Sequence, residues 1–248
     1  MDNDLILITG ASSDIGIAFI RSLFGGPNAG STVVLAHSFS GGGRIAELQA
    51  EFGPERLISL MADLSDPAAV SNLADQVLAH GTPSAFLHLP ALRLVTERFT
   101  KFDWERFQTD LAVQVQSAVI LLKRMLPKMA KLPRARVIFM LSSAVHGVAP
   151  KYMSMYTTVK YAQLGLMRSL AADYASTPVR INSISPSMVD TQFLKDIAEL
   201  AVQMSASANP LGRNAVPADL VGALELLLSP ASDYIHGIDI PIAAGTVI

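Results

Sequence analysis

Cysteine is absent from the 248-residue chain, which excludes disulfides, thiolate metal sites and a cysteine nucleophile without identifying a compartment. An excess of charge is missing too: 19 Lys and Arg stand against 21 Asp and Glu, for a formal net charge of −2. Nucleic acid and anionic membrane surfaces both favour clustered basic residues, so neither is expected as a partner, and a small molecule is. No apolar run approaches the roughly 18 residues needed to span a bilayer, and Met1 to Asp4 are too few and too acidic for a signal peptide. A soluble cytoplasmic protein is the expectation. The five histidines, at 37, 80, 88, 146 and 236, lack metal-ligand spacing, and no metal is predicted. There is no internal repeat or low-complexity linker, and with half its residues apolar the chain can bury one large core as a single domain.

What is present is an alternation of short apolar runs with longer amphipathic ones. This pattern predicts βαβ units, hence an α/β fold with a parallel sheet flanked by helices on both faces. Seven strands are predicted at 5–9, 32–36, 57–61, 85–89, 136–141, 179–184 and 238–240. Six main helices are predicted near 15–24, 43–52, 67–79, 103–130, 154–176 and 217–228. Pro67 and Pro217 suit first helical turns. Residues 186–216 carry few charges and several Ser, Asn, Met and Pro, and read as a partly helical flap over a site.

Two local patterns carry chemistry. Tyr156 and Lys160 stand four residues apart, on one face of a predicted helix, and Ser143 lies thirteen residues before the tyrosine. A fixed cation favours the phenolate and is expected to lower the Tyr156 pKa, while Ser143 is placed to hold the oxygen that receives the proton. Near the start, Thr9-Gly10-Ala11-Ser12-Ser13-Asp14-Ile15-Gly16 follows the first strand and opens the first helix. A dinucleotide pyrophosphate would meet unpaired backbone N–H groups and the positive helix end there.

Together these motifs make the chain, from Leu5 to Gly245, resemble the short-chain dehydrogenase/reductase family, and most of all its 3-oxoacyl carrier-protein reductases. The resemblance implies a Rossmann-type doubly wound fold with a seven-stranded parallel sheet. It implies cofactor contacts from Gly10, Ser12, Ser13, Asp14, Ile15 and Gly16, from His37 and Ser38 at the end of the second strand, and from Asp63 and Leu64 beside the adenine. Pro90 after the fourth strand and Pro186, Val189 and Thr191 around the nicotinamide complete the set, with Tyr156 and Lys160 also touching the cofactor. Catalysis falls to Ser143, Tyr156, Lys160 and Gln114: Tyr156 as proton donor, Ser143 on the carbonyl oxygen, Lys160 on the tyrosine and the ribose, and the Gln114 carbonyl on a relay water.

Several positions depart from the family pattern. Asp14 replaces a glycine and adds negative charge near the phosphates, which implies weakened cofactor binding. Gln114 stands for Asn, Ser187 for Gly, and His88-Leu89-Pro90-Ala91 for Asn-Asn-Ala-Gly, with His88 expected to tether the central sheet. No acid ends the second strand, so NADP(H) is preferred and NAD(H) is not excluded, with Arg44 a candidate partner for the 2′-phosphate. A mainly apolar pocket is expected from Ala144 to Met155, including His146 and Met153, and from Met188, Phe193 and Leu194. Basic residues Lys123, Arg124, Lys128, Lys131, Arg134 and Arg136 would let a carrier protein dock, so the substrate is a small molecule or a carrier-bound acyl group. The alternatives are an alcohol dehydrogenase acting on a free small alcohol, sugar or steroid, and a catalytically weak cofactor-binding scaffold. Helices 103–130 and 154–176 are expected to associate into a homodimer or homotetramer.

Overall fold

A computed structural model describes residues 4–26, 29–40 and 43–246. Met1 to Asn3, which bear on the signal-peptide reading, lie outside them. Seven parallel strands form one sheet in the order β3-β2-β1-β4-β5-β6-β7. They are β1 (Asp4–Thr9), β2 (Thr32–Ser38), β3 (Leu57–Met61), β4 (Ala85–His88), β5 (Ala135–Met140), β6 (Val179–Pro186) and β7 (Asp239–Ile242). The doubly wound fold is therefore as the sequence predicts. The chain order reverses between β1 and β4, and ligands of such sheets bind in the crevice at the strands' carboxyl ends there.

The helices are α1 (Asp14–Gly25), α2 (Gly43–Phe52), α3 (Pro67–His80), α4 (Trp104–Leu111), α5 (Ser117–Met129), α6 (Ser154–Asp173), α7 (Glu199–Ala208) and α8 (Pro217–Leu228). Local chemistry sets their ends. The Ser13 hydroxyl accepts from Gly16 N–H to cap α1, Asp66 caps α3 ahead of Pro67, and Asp103 caps α4. The predicted helix 103–130 is continuous in direction but widened in its middle, where Ala112–Gln116 form a π turn. Helix α7 lies within the predicted flap.

Successive strand residues face opposite sides, so Ile6 and Ile8 join one core and Leu7 the other. One core packs α3, α5 and α6 against Phe86, Val137 and Phe139, and the other packs α1, α2 and α8 against Val34, Leu87 and Ile138. Each wholly buried Leu or Phe contributes about 1.5–3 kcal/mol, and this double layer fixes the strand ends to which the functional residues are attached. Among the described residues no helix is long and apolar enough to cross a membrane.

Candidate active site

The phosphate loop leaves β1 at Thr9. Gly10 has φ +71°, and a Cβ there would meet Pro90 N at 3.0 Å; a Cβ on Gly16 would lie 2.5 Å from the Ala11 carbonyl oxygen. Both positions therefore require glycine. Ala11 N–H donates to the His37 carbonyl at 2.9 Å, and Gly10 N–H donates to His37 Nδ1 at 3.3 Å. With Nδ1 accepting, Nε2 is the protonated nitrogen and donates to the Ala62 carbonyl at 3.1 Å. His37 is thus buried as a brace for the loop, and burial pushes its pKa down. This corrects the expectation that His37 faces the adenosine ribose.

Ser38, the next residue, is buried with no partner for its hydroxyl among the described residues. An orphaned hydroxyl at the carboxyl end of β2, beside a glycine cradle and a capped helix start, fits the adenosine half of a dinucleotide. Asp63 stands exposed after β3, where its Oδ1 accepts from Ser65 N at 2.8 Å and Ser65 Oγ at 2.7 Å, and Leu64 is buried behind it. Ser12 and Ile15 remain on the loop and first helical turn as expected.

Asp14 does more than add a charge. Its Oδ1 accepts from Arg44 Nη2 at 2.6 Å, while its Oδ2 accepts from Gln192 N–H at 2.7 Å. Arg44 Nη1 also donates to the Ser12 carbonyl at 2.9 Å. A carboxylate thus clasps the phosphate loop to the flap, and Arg44 neutralises it rather than standing free for a phosphate. Around the clasp, Pro186 ends β6, Val189 is buried and bridges to Ala215, and Thr191 Oγ1 donates to the Val189 carbonyl at 3.2 Å.

The candidate catalytic residues meet at the ends of β4 and β5. Lys160 is 2% exposed and donates from Nζ to the Met140 carbonyl at 2.8 Å and to Gln163 Oε1 at 3.0 Å. Its ammonium lies 5.7 Å from the Tyr156 ring centroid. Burial brings the Lys160 pKa down to about 7, against an opposing pull from Asp110. Tyr156, partly open to the cleft, is pushed up to about 12 by burial, opposed by a hydrogen bond with Ser142 and reinforced by Asp110. The tyrosine pKa is therefore raised rather than lowered, with dehydration the largest cause.

Two serines follow β5. Ser142 pulls the Tyr156 pKa down against the larger effect of burial, and its Oγ accepts from Ala144 N–H at 3.2 Å. Ser143, the expected partner of the substrate oxygen, opens a 3-10 turn over Ser143–Val145, in which its carbonyl accepts from His146 N–H at 3.0 Å.

Gln114 sits in the π turn, wholly buried. Widening to i+5 bonding frees its carbonyl from the helix ladder. That oxygen accepts from His88 Nε2 at 2.9 Å and from Gln163 Nε2 at 3.1 Å. Both lone pairs are thereby used by side chains, which corrects the expected relay water on this carbonyl. The Gln114 side chain donates to Asp110 Oδ1 at 2.6 Å, leaving its own Oε1 buried without a partner among the described residues. His88 does tether the centre of the sheet, since its Nδ1 meets Thr9 Oγ1 at 2.8 Å.

Beside Tyr156 lies a pocket walled by Leu92, Leu94, Val95, Phe107 and Met155, with Asp110, Arg93 and Arg106 contributing charge. Phe193 stacks obliquely on Tyr156 with centroids 6.2 Å apart. His146, expected at this pocket, instead bonds the buried Asp239 carboxylate at 2.7 Å. The basic residues run from α5 through the following loop into the start of β5, toward the amino-terminal end of that strand and away from the site at the strands' carboxyl ends. Arg124 pairs there with Asp75, and Arg134 and Arg136 with Asp233. Asp110 and Gln163 are the residues beside the candidate site that sequence reasoning missed. Both stand as polar residues on otherwise apolar helix stripes, a signal present in the sequence.

A glycine cradle at the β1 end, an orphaned hydroxyl at β2 and a tyrosine beside a buried lysine define a nicotinamide-dependent oxidoreductase. A family model described as Enoyl-(Acyl carrier protein) reductase matches residues 10–246, and the chain belongs to that family, within the short-chain dehydrogenases/reductases. It is 25% identical over 241 residues, 97% of this chain and 91% of the relative, to the 3-oxoacyl (acyl-carrier-protein) reductase MabA of Mycobacterium tuberculosis. To the short-chain dehydrogenase RED2 of Pyricularia oryzae it is 36% identical over 119 residues, spanning 46% of this chain and 42% of that relative. A solved 3-oxoacyl (acyl-carrier-protein) reductase from Agrobacterium tumefaciens with NADP bound superposes with a TM-score of 0.86 at 27% identity, covering 97% of this chain and 93% of its own.

Proposed function

We propose that this protein is an NADPH-dependent ketoreductase that converts a carbonyl to a secondary alcohol, with a 3-oxoacyl thioester or a related carrier-bound intermediate as substrate. The observation that carries this reading is the Tyr156 phenol beside the buried Lys160, whose Nζ lies 5.7 Å from the ring centroid and donates to the Met140 carbonyl at the end of β5. A protonated phenol there can give its proton to a carbonyl oxygen. The bound cofactor would supply the hydride. Tyr156 gives its proton to the carbonyl oxygen, and the Ser143 hydroxyl donates to that oxygen as its negative charge develops.

Lys160 carries three N–H bonds, and two are used by Met140 and Gln163. The third serves the cofactor's ribose hydroxyls. Gly10, Ser12, Ser13, Ile15 and Gly16 would cradle the pyrophosphate, Ser38 the adenosine ribose, Asp63 and Leu64 the adenine, and Pro90, Pro186, Val189 and Thr191 the nicotinamide side. Preference for NADPH rests on the lack of an acid at the end of β2 and on the NADP present in a solved relative. Outward-facing Val119 on α5 and Tyr161 on α6 support self-association as a homodimer or homotetramer.

The test is NADPH consumption with an acetoacetyl thioester and a panel of free ketones. Tyr156→Phe is expected to lower the rate about 10²–10⁴-fold, while NADPH binding, followed by fluorescence, is retained. An unchanged rate would remove Tyr156 as the proton donor. Binding of NADPH with no ketone reduced would favour a scaffold role.

A further inference from the structure

Gln163 lies one helical turn beyond Lys160 on α6 and is wholly buried. Its amide is used at both ends: Oε1 accepts from Lys160 Nζ at 3.0 Å and Nε2 donates to the Gln114 carbonyl at 3.1 Å. The second bond fixes which way the amide points, because a carbonyl can accept only from the NH₂ group. The oxygen is thereby compelled to face the lysine. We propose that Gln163 is a positioning residue for hydride transfer, holding the Lys160 ammonium through its side-chain oxygen and aiming the remaining N–H at the cofactor.

Three features support this role. The ammonium is almost fully dehydrated, so each acceptor it keeps favours its charged form strongly. The groups facing it are few: the Met140 carbonyl from β5, Asp110 from α4, Tyr156 on its own helix and the neutral His88 from β4. Removal of one acceptor leaves Met140 alone in direct contact. An amide also does not release its N–H protons near neutral pH, so Gln163 links Gln114 to Lys160 without conducting a proton between them. Tyr156 is then reprotonated from the cleft side, where the ring is open.

The inference rests on the catalytic reading of Lys160, but its test does not require turnover. The probe is the cofactor-free protein labelled with ¹⁵N at lysine Nζ, with the Lys160 signal assigned by its loss in Lys160→Arg. Gln163→Met keeps the side-chain length and removes both polar atoms, and Gln163→Glu keeps the shape and adds a charge. Loss of the acceptor is expected to lower the Lys160 titration midpoint by about one unit, and the carboxylate to raise it by at least that much. Shifts of opposite sign in the two variants support the proposal. Coincident midpoints in wild type and in whichever variants fold overturn it, because a residue that merely fills space would leave the titration alone. If the midpoints move and no ketone is reduced by wild type, the proposed function fails while the positioning role stands.

Discussion

Replacement of His88 by asparagine should change the pH dependence of stability by an amount that follows from its surroundings. The ring is wholly buried, 5.6 Å from the Phe86 ring and 6.0 Å from that of Phe139. Its Nε2 must donate to the Gln114 carbonyl, so Nδ1 accepts from the Thr9 hydroxyl. Protonation need not break these bonds, since Thr9 Oγ1 can turn toward the Leu87 carbonyl at 3.3 Å and accept from Nδ1–H instead. The cost is the dehydrated charge, beside Lys160, and it brings the pKa down from 6.5 to about 3. Between these values the unfolded chain binds the proton and the native chain does not. Stability is therefore full above about pH 6.5 and falls as pH drops toward 3, by ~1.4 kcal/mol per unit. At about pH 5 the His88 contribution to the loss is roughly 2 kcal/mol. His37, whose pKa is also lowered by burial, adds a slope of its own in the same direction. The comparison of wild type with His88→Asn isolates the first. Urea unfolding near neutral pH and near pH 5 should show a wild-type loss larger by roughly 2 kcal/mol than that of the variant. Whatever constant offset the substitution causes drops out of this difference. Parallel stability curves would refute the claim that His88 is held neutral.

Two further substitutions bear on the site. Ser143→Ala should lower ketone reduction about 10²–10³-fold, whereas Ser142→Ala should retain most of the rate; the reverse order in steady-state kinetics would mean that Ser142 holds the substrate oxygen. Asp14→Gly removes a negative charge from the phosphate loop and releases both Arg44 and the Gln192 N–H. NADPH should then bind about tenfold tighter by fluorescence titration, with a smaller gain for NADH because Arg44 favours the extra phosphate. Equal or weaker NADPH binding would show that the clasp does not compete with the cofactor.

Much of this architecture is written in periodicity, and the parts that are not have physical reasons. Strands such as Leu57–Met61 and helices such as Gly43–Phe52 announce themselves by apolar spacing and flanking turn residues. The π turn at Gln114 does not, because one inserted residue leaves the helical stripe almost unchanged. His37 illustrates a different gap. Its place at the end of β2 follows from sequence, but its ring is drawn inward by Gly10 N–H and the Ala62 carbonyl, groups that meet only after the sheet forms. Gln163 was open to inference, since a glutamine on the buried stripe of α6 must find partners; sequence cannot say that they are Lys160 and the Gln114 carbonyl.

The departures from the family pattern at His88 and Gln114 are parts of one arrangement with Gln163. The π turn exposes one carbonyl oxygen in the core, where an unsatisfied acceptor would cost about 1–3 kcal/mol. His88 from β4 and Gln163 from α6 supply its two donors. From there the polar chain runs one way through His88 to Thr9, the last residue before the phosphate loop, and the other way through Gln163 to Lys160 and the Met140 carbonyl. Five backbone elements are joined by side chains whose donors and acceptors leave little freedom of orientation. A shortened side chain at either His88 or Gln163 would leave the same oxygen half-satisfied, so the two sites are energetically coupled through it. The consequence is mechanical: the base of the cofactor loop and the lysine that serves the cofactor's ribose are held in register by a dry core network, with no ordered water required between the Gln114 carbonyl and Lys160.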